Sequence, residues 1–244
     1  MKRILLQPAY VLHRRAYRES SFLVELFTKE HGRMTVIAKG VRKKKSPLQG
    51  LLQPFIPLLV SWVGKSELMI LTQAETYGAI TQLKGTCLYA GLYLNELLMG
   101  LLQKWDAQIK LYALYEETLF QLQKDILEQK TLRIFEKKLL EELGYGVLSK
   151  TDFSLQQTFL SDQYYQFIPG EGFILSKAHG KGRSNLFSGK SLLNIAKENW
   201  QDETSLQDAK RLMRLIFFSL LGGRLLHSRR LFQQLNAGET LSED

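Results

Sequence analysis

Along the first 80 residues, apolar and polar positions alternate in short runs. The runs at 7–13, 21–28, 33–39, 55–63 and 68–77 are rich in β-branched, aromatic and aliphatic side chains and predict strands. In the third run, Met34, Val36 and Ala38 alternate with Arg33, Thr35 and Lys39, roughly the pattern of a half-buried strand, with Ile37 the apolar exception. Glu30, His31 and Gly32 mark a hairpin between the second and third runs, and Gly64, Lys65 and Ser66 mark another between the fourth and fifth. Five strands of this kind, with one longer connection over 43–52, fit a small Greek-key barrel of the OB type. An SH3-like barrel fits the same pattern almost as well.

From about Gly85 the period changes to that of a helix. Leu88, Leu92, Leu97 and Leu101 recur through 88–103, and 111–122 continues in the same manner. Over 131–143, Leu132, Phe135, Leu139 and Leu143 share one face, and Gly144 supplies the positive φ that ends a helix. Residues 164–168 and 172–175 read as a short hairpin across Pro169, Gly170 and Glu171, and 180–183 as a flexible basic loop. Helical patterns return at 191–200 and 206–221 and stop at Gly222 and Gly223. The chain is therefore expected to be α+β: an OB-type β-barrel domain over 1–80, a mainly α-helical domain over 81–236, and a polar tail over 237–244.

Composition narrows the class. No apolar run reaches the roughly 18 residues that cross a bilayer, and the amino-terminal stretch lacks a secretory signal's pattern. A single cysteine, Cys87, allows neither an internal disulfide nor a Cys-rich zinc site. The chain is expected to be cytoplasmic, with no metal and no other cofactor. Charge is more informative: Lys+Arg is 33 against 24 Asp+Glu, a net +9. Residues 1–80 hold 13 basic and five acidic residues, so nearly all the excess lies there and points to a polyanionic partner.

Five of the seven residues from Lys39 to Lys45 are cationic: Lys39, Arg42, Lys43, Lys44 and Lys45. A run like this follows a phosphate backbone by displacing counterions, whereas a plain solvated loop is the ordinary alternative. His13, Arg14, Arg15, Tyr17, Arg18 and Phe22 lie nearby in sequence, followed by Phe27, His31 and Arg33. Tyr17 is the aromatic expected to be exposed for base stacking. Phe22 and Phe27 are expected in the barrel core, with Trp62 open between core and surface. A second basic cluster, Lys210, Arg211, Arg214, Arg224, Arg229 and Arg230, either extends the nucleic-acid surface or is the polar face of an amphipathic helix. The four histidines have no metal-ligand spacing, no phosphate-binding glycine loop or nucleophile elbow is present, and no enzyme is expected. An RNA-binding OB module and a metal-dependent nuclease are the competing classes.

The segments VLHRRAYRESS (11–21), FTKEHGR (27–33), AKGVRK (38–43) and LQPF (52–55) together resemble the amino-terminal module of the bacterial RecO family. The resemblance continues through LYLNELL (92–98), LRIFE (132–136), LGYG (143–146), AKR (209–211), LGGR (221–224) and SRRLF (228–232). It implies an OB fold followed by a helical domain in a cytoplasmic, nucleoid-associated protein of DNA repair and recombination. Such a protein binds single- and double-stranded DNA and anneals complementary strands. With RecR and RecF it helps load RecA onto DNA coated by single-strand DNA-binding protein. By the same resemblance, Arg133 would receive the carboxylate of that protein's C-terminal tail, with Phe135, Leu139, Leu140 and Leu143 as apolar walls. Many relatives carry a four-cysteine zinc module after the Gly-Tyr-Gly region. Residues 147–185 contain no cysteine here, so the zinc is expected to be missing.

Overall fold

A computed structural model describes residues 2–43, 46–65, 68–79, 82–124, 126–146, 159–177 and 184–231. Five strands, β1 (Lys2–Tyr17), β2 (Ser21–Thr28), β3 (Gly32–Ala38), β4 (Leu58–Gly64) and β5 (Leu68–Thr76), close into a barrel in the order β1-β2-β3-β5-β4. All neighbours are antiparallel except β3 and β5. A long first strand shared by two neighbours, with one parallel closing pair, is the OB arrangement, so the SH3-like alternative is set aside.

β1 extends well beyond the 7–13 predicted from alternation. Its first half pairs with β4, from Lys2↔Gly64 to Ala9↔Leu58, and its second half pairs with β2, from Ala9↔Thr28 to Tyr17↔Ser21. The strand bends where the register shifts, between Ile4 and Gln7 and between Val11 and His13, and Leu6 takes a φ of 50°. Each bulge displaces the alternation by one position, which breaks a two-residue pattern into pieces.

Ala9, Val11, Val24, Leu26, Met34, Val36, Val60 and Trp62 fill the barrel. Trp62 is fully buried, with the His31 ring edge-on at 5.3 Å, which settles its place in the core. Phe27 is also fully buried but faces outward: with its register partner Tyr10 it meets Tyr112 and Tyr115 at ring distances of 5.3–6.1 Å. Those tyrosines belong to α3 (Ile109–Leu122), which packs beside α2 (Gly85–Leu101). Between β3 and β4 lies a short turn of helix, α1 (Leu48–Leu51).

One polar residue and one glycine inside the apolar run of α2 explain how it is held. Asn95, buried, donates to the Leu12 carbonyl at 3.0 Å and accepts from the Tyr115 hydroxyl at 2.5 Å. Gly91 leaves room for the Phe55 ring, which would lie 2.9 Å from an added Cβ. α2 and α3 are thus packed with the barrel. One compact unit is Met1–Leu127 with Leu226–Asp244; the other is Glu128–Leu225. The change from strands to helices near residue 80 is not where packing divides the chain.

The second unit holds α4 (Gln129–Glu142), a three-stranded sheet in the order β7-β6-β8, then α5 (Gly189–Ala196) and α6 (Glu203–Leu220). β6 (Tyr164–Ile168) and β7 (Gly172–Ser176) form a hairpin across Pro169, Gly170 and Glu171. β8 (Leu186–Ser188), three residues long, adds a strand that alternation is too short to reveal. Phe159, Tyr165, Phe173 and Phe187 pack edge to face around this sheet, with Phe167 tilted against Phe173. Gly144, with φ 78°, ends α4 as expected. The 180–183 loop, the 237–244 tail, Lys44 and Lys45 lie outside the described residues.

Candidate nucleic-acid interface

The barrel's basic residues gather where β1 turns into β2 and where β3 ends. Phe22 pairs with Ala38, so the 18–20 turn and the chain after β3 leave the same end of the barrel. Arg42 joins them. Its backbone N–H donates to the Ser20 carbonyl at 2.9 Å, and its Nη1 donates to the Arg18 carbonyl at 3.0 Å. Arg18 holds a φ of 52°, a conformation that costs a non-glycine residue about 1 kcal/mol and tends to mark functional turns. Gly40 permits the tight turn that follows β3, with φ 70° and a Lys43 N–H to Gly40 carbonyl bond at 3.2 Å.

Arg15, Arg18, Lys39, Arg42 and Lys43 are exposed along this edge. Arg14 is half-buried: its Nη1 donates to the Gln49 carbonyl at 2.9 Å and its guanidinium lies 4.9 Å from the Phe22 ring centre. Tyr17 is half-buried rather than open, beneath the Arg18 guanidinium at 5.3 Å. Phe22 is only half-buried, packed against the core.

Arg33 does not belong to this edge. It sits at the other end of β3, where its Nη1 donates to the Met99 carbonyl near the end of α2 and its own carbonyl accepts from the Trp105 N–H at 2.9 Å. Beside it, Gly32 has φ 64° and lies so close to the Asp106 backbone that a side chain would collide with it. Arg33 therefore fastens the helical layer to the barrel, away from the cationic edge.

The carboxy-terminal basic cluster is divided between the two units. In the second, Arg211 is used internally: its Nη2 donates to the Leu186 carbonyl at 2.5 Å and to Asp208 at 2.9 Å, and its guanidinium lies over Phe187 at 4.6 Å. Lys210 is half-buried, and Arg214 and Arg224 are exposed. Arg229 and Arg230 belong to the first unit, on a helical turn over 227–231. Glu96 of α2 holds that turn, accepting from the His227 N–H at 2.7 Å, the Ser228 N–H at 2.9 Å and the Ser228 hydroxyl at 2.6 Å. A carboxylate on the free N–H groups of a helical start is a favourable pairing. Sequence reasoning missed Glu96; the one signal was a polar pair, Asn95 and Glu96, inside an apolar run.

On α4, Arg133 and Glu136 form an ion pair at 2.8 Å with side chains only 5% and 0% exposed. Phe135, Leu139 and Leu140 are buried, and Leu143 is half-buried. Arg133 Nε has no hydrogen-bond partner among the described residues. Next to this pair, Lys137 reaches Glu198 at 2.8 Å and Glu141 at 3.2 Å. Among the described residues, no three His, Cys, Asp or Glu side chains are grouped to hold a metal. Nor is any helix there long and apolar enough to cross a membrane.

Comparison with known proteins agrees with this architecture. Residues 1–80 match the family model described as Recombination protein O N terminal, and residues 83–229 match Recombination protein O C terminal. The DNA repair protein RecO of Coxiella burnetii (strain RSA 331 / Henzerling II) is 44% identical over 94% of this chain and 98% of its own length. The proteins of the same name from Pseudoalteromonas atlantica and Dechloromonas aromatica are 44% and 40% identical, over 92% and 94% of this chain and 92% and 95% of theirs. An OB barrel, a helical layer packed on it and matches along nearly the whole chain lead to one assignment: the chain belongs to the RecO family of DNA repair proteins.

Proposed function

We propose that this chain is a non-catalytic mediator of cytoplasmic DNA repair. It binds single- and double-stranded DNA, anneals complementary strands and, with RecR and RecF, helps load RecA onto DNA coated by single-strand DNA-binding protein. The observation that carries the reading is the Arg42 lock, which sets Arg15, Arg18, Lys39 and Lys43 as one exposed cationic edge on an OB barrel. Phosphates that displace counterions onto such an edge lose much of their mutual repulsion, so a second strand can approach the first. Lys44 and Lys45 continue the run in sequence, and Lys210, Arg214, Arg224, Arg229 and Arg230 add further cations.

For the C-terminal tail of single-strand DNA-binding protein, the proposal takes a specific form. The tail carboxylate exchanges with Glu136 on Arg133, whose Nε has a donor to spare, and Leu143 offers the accessible apolar contact. Phe135, Leu139 and Leu140 are buried, as Arg133 itself is, and in this proposal they are the apolar walls the tail meets as it displaces Glu136.

The test is annealing of two complementary labelled oligonucleotides without nucleotide or metal. The full chain is expected to accelerate it, and a variant carrying Arg15→Glu, Lys39→Glu and Lys43→Glu is expected not to. Equal acceleration by both proteins would refute the assignment of the edge. A clear preference for RNA over DNA would favour an RNA-binding module instead.

A further inference from the structure

We infer that the barrel grips a DNA strand by its sugar-phosphate backbone alone and leaves the bases turned away, free to pair. The inference rests on the proposed DNA-binding role of the same edge and specifies its ligand chemistry.

OB barrels that hold single strands usually combine cations with aromatic rings on which bases stack. The cations are here, but no Phe, Tyr or Trp ring of the described barrel residues is exposed; the small imidazole of His13 is the exposed ring among them. Phe27 and Trp62 are fully buried, and Tyr10 and Phe55 nearly so. The two rings beside the cationic edge are covered by cations of their own chain, Tyr17 by Arg18 and Phe22 by Arg14.

The barrel's outward surface gives the same answer. Strand register sets Leu23 beside Ile37, Ile37 beside Ile70, and Ile70 beside Val63, with Arg15 paired to Leu23 at one end and Arg3 to Val63 at the other. This row is half-buried aliphatic side chains between two exposed arginines. Aliphatic groups offer no π face to a base, whereas guanidinium and ammonium groups offer donors to phosphate oxygens. A strand held this way is bound regardless of its sequence and presents its hydrogen-bonding edges to a second strand.

The experiment compares the full chain's affinity for a 20-nucleotide mixed-sequence oligonucleotide with that for a 20-unit abasic strand carrying the same phosphates. Fluorescence anisotropy at fixed moderate salt reads both. The expected result is an abasic affinity within about threefold of the natural strand's. Stacking of even two bases would weaken the abasic strand by roughly thirtyfold, so a loss beyond about tenfold overturns the inference while leaving the DNA-binding reading intact. If neither strand binds, the DNA-binding reading fails, and this inference with it.

Discussion

Replacing Arg133 by alanine leaves the Glu136 carboxylate, fully shielded from solvent, without the guanidinium 2.8 Å away. Removing one member of a buried ion pair costs about 3–5 kcal/mol, because the remaining charge stays desolvated with its main counterion gone. At about 2–4 °C per kcal/mol for a chain of this size, Tm should fall by roughly 6–20 °C. Circular dichroism on heating and the urea midpoint of the same sample read this directly. A companion variant, Arg133→Met with Glu136→Leu, removes both charges and keeps much of the volume, so it should lie within about 1–2 kcal/mol of the parent. Titration with an acidic, Phe-ended peptide then separates fold from contact. If the peptide carboxylate uses Arg133, the well-folded double variant should bind it at least about tenfold more weakly. An Arg133→Ala protein that melts within about 1 °C of the parent would refute the burial reasoning. A double variant as unstable as the single one would do the same.

Three further outcomes follow from other parts of the molecule. Arg42→Lys keeps the charge but loses the fork that reaches the Arg18 carbonyl, so DNA affinity in anisotropy should drop about fivefold, the equivalent of one hydrogen bond, with the salt slope unchanged. Gly32→Ala forces a positive φ and a collision with the Asp106 backbone, and should destabilise the barrel unit by more than about 2 kcal/mol in urea unfolding. Burial, followed by the nearby Glu116 for Tyr10 and neighbouring tyrosines for Tyr112, pushes both phenols well above their ordinary range. Their folded pKa values exceed the unfolded value near 10, so stability is complete below that pH and declines above it. Tyrosinate absorbance from these rings should rise only as the protein unfolds in alkali; full ionisation in the folded state would contradict the packing.

The alternation of Met34, Val36 and Ala38 made β3 legible because one face meets the barrel core and the other faces outward. β1 was legible only in its middle: its bulges shift the alternation, and Arg14 and Arg15 read as the end of a strand that in fact continues to Tyr17. The cationic edge was visible in composition, since five charges in seven residues have no place in a core. What composition could not separate is a cation that faces solvent from one that binds a carbonyl. Arg33 and Arg211 look like Arg15 in sequence, yet Arg33 donates to the Met99 carbonyl and Arg211 to both the Leu186 carbonyl and Asp208, each inside its own unit. Arg133 was singled out by family resemblance, but its pairing with Glu136 depends on the packing of α4. Glu96 was overlooked because its partners, His227 and Ser228, lie more than 130 positions away in the chain.

The salt dependence of single-stranded DNA binding tests the cationic edge most directly. Arg15, Lys39 and Lys43 are each expected to displace a counterion, so the Arg15→Glu, Lys39→Glu, Lys43→Glu variant should bind far more weakly. Its plot of log affinity against log salt should be less steep by about 2 than the parent's, at roughly 0.7 per phosphate contact on a single strand. A variant with the parent's affinity and slope would contradict the account and place the DNA elsewhere on the protein.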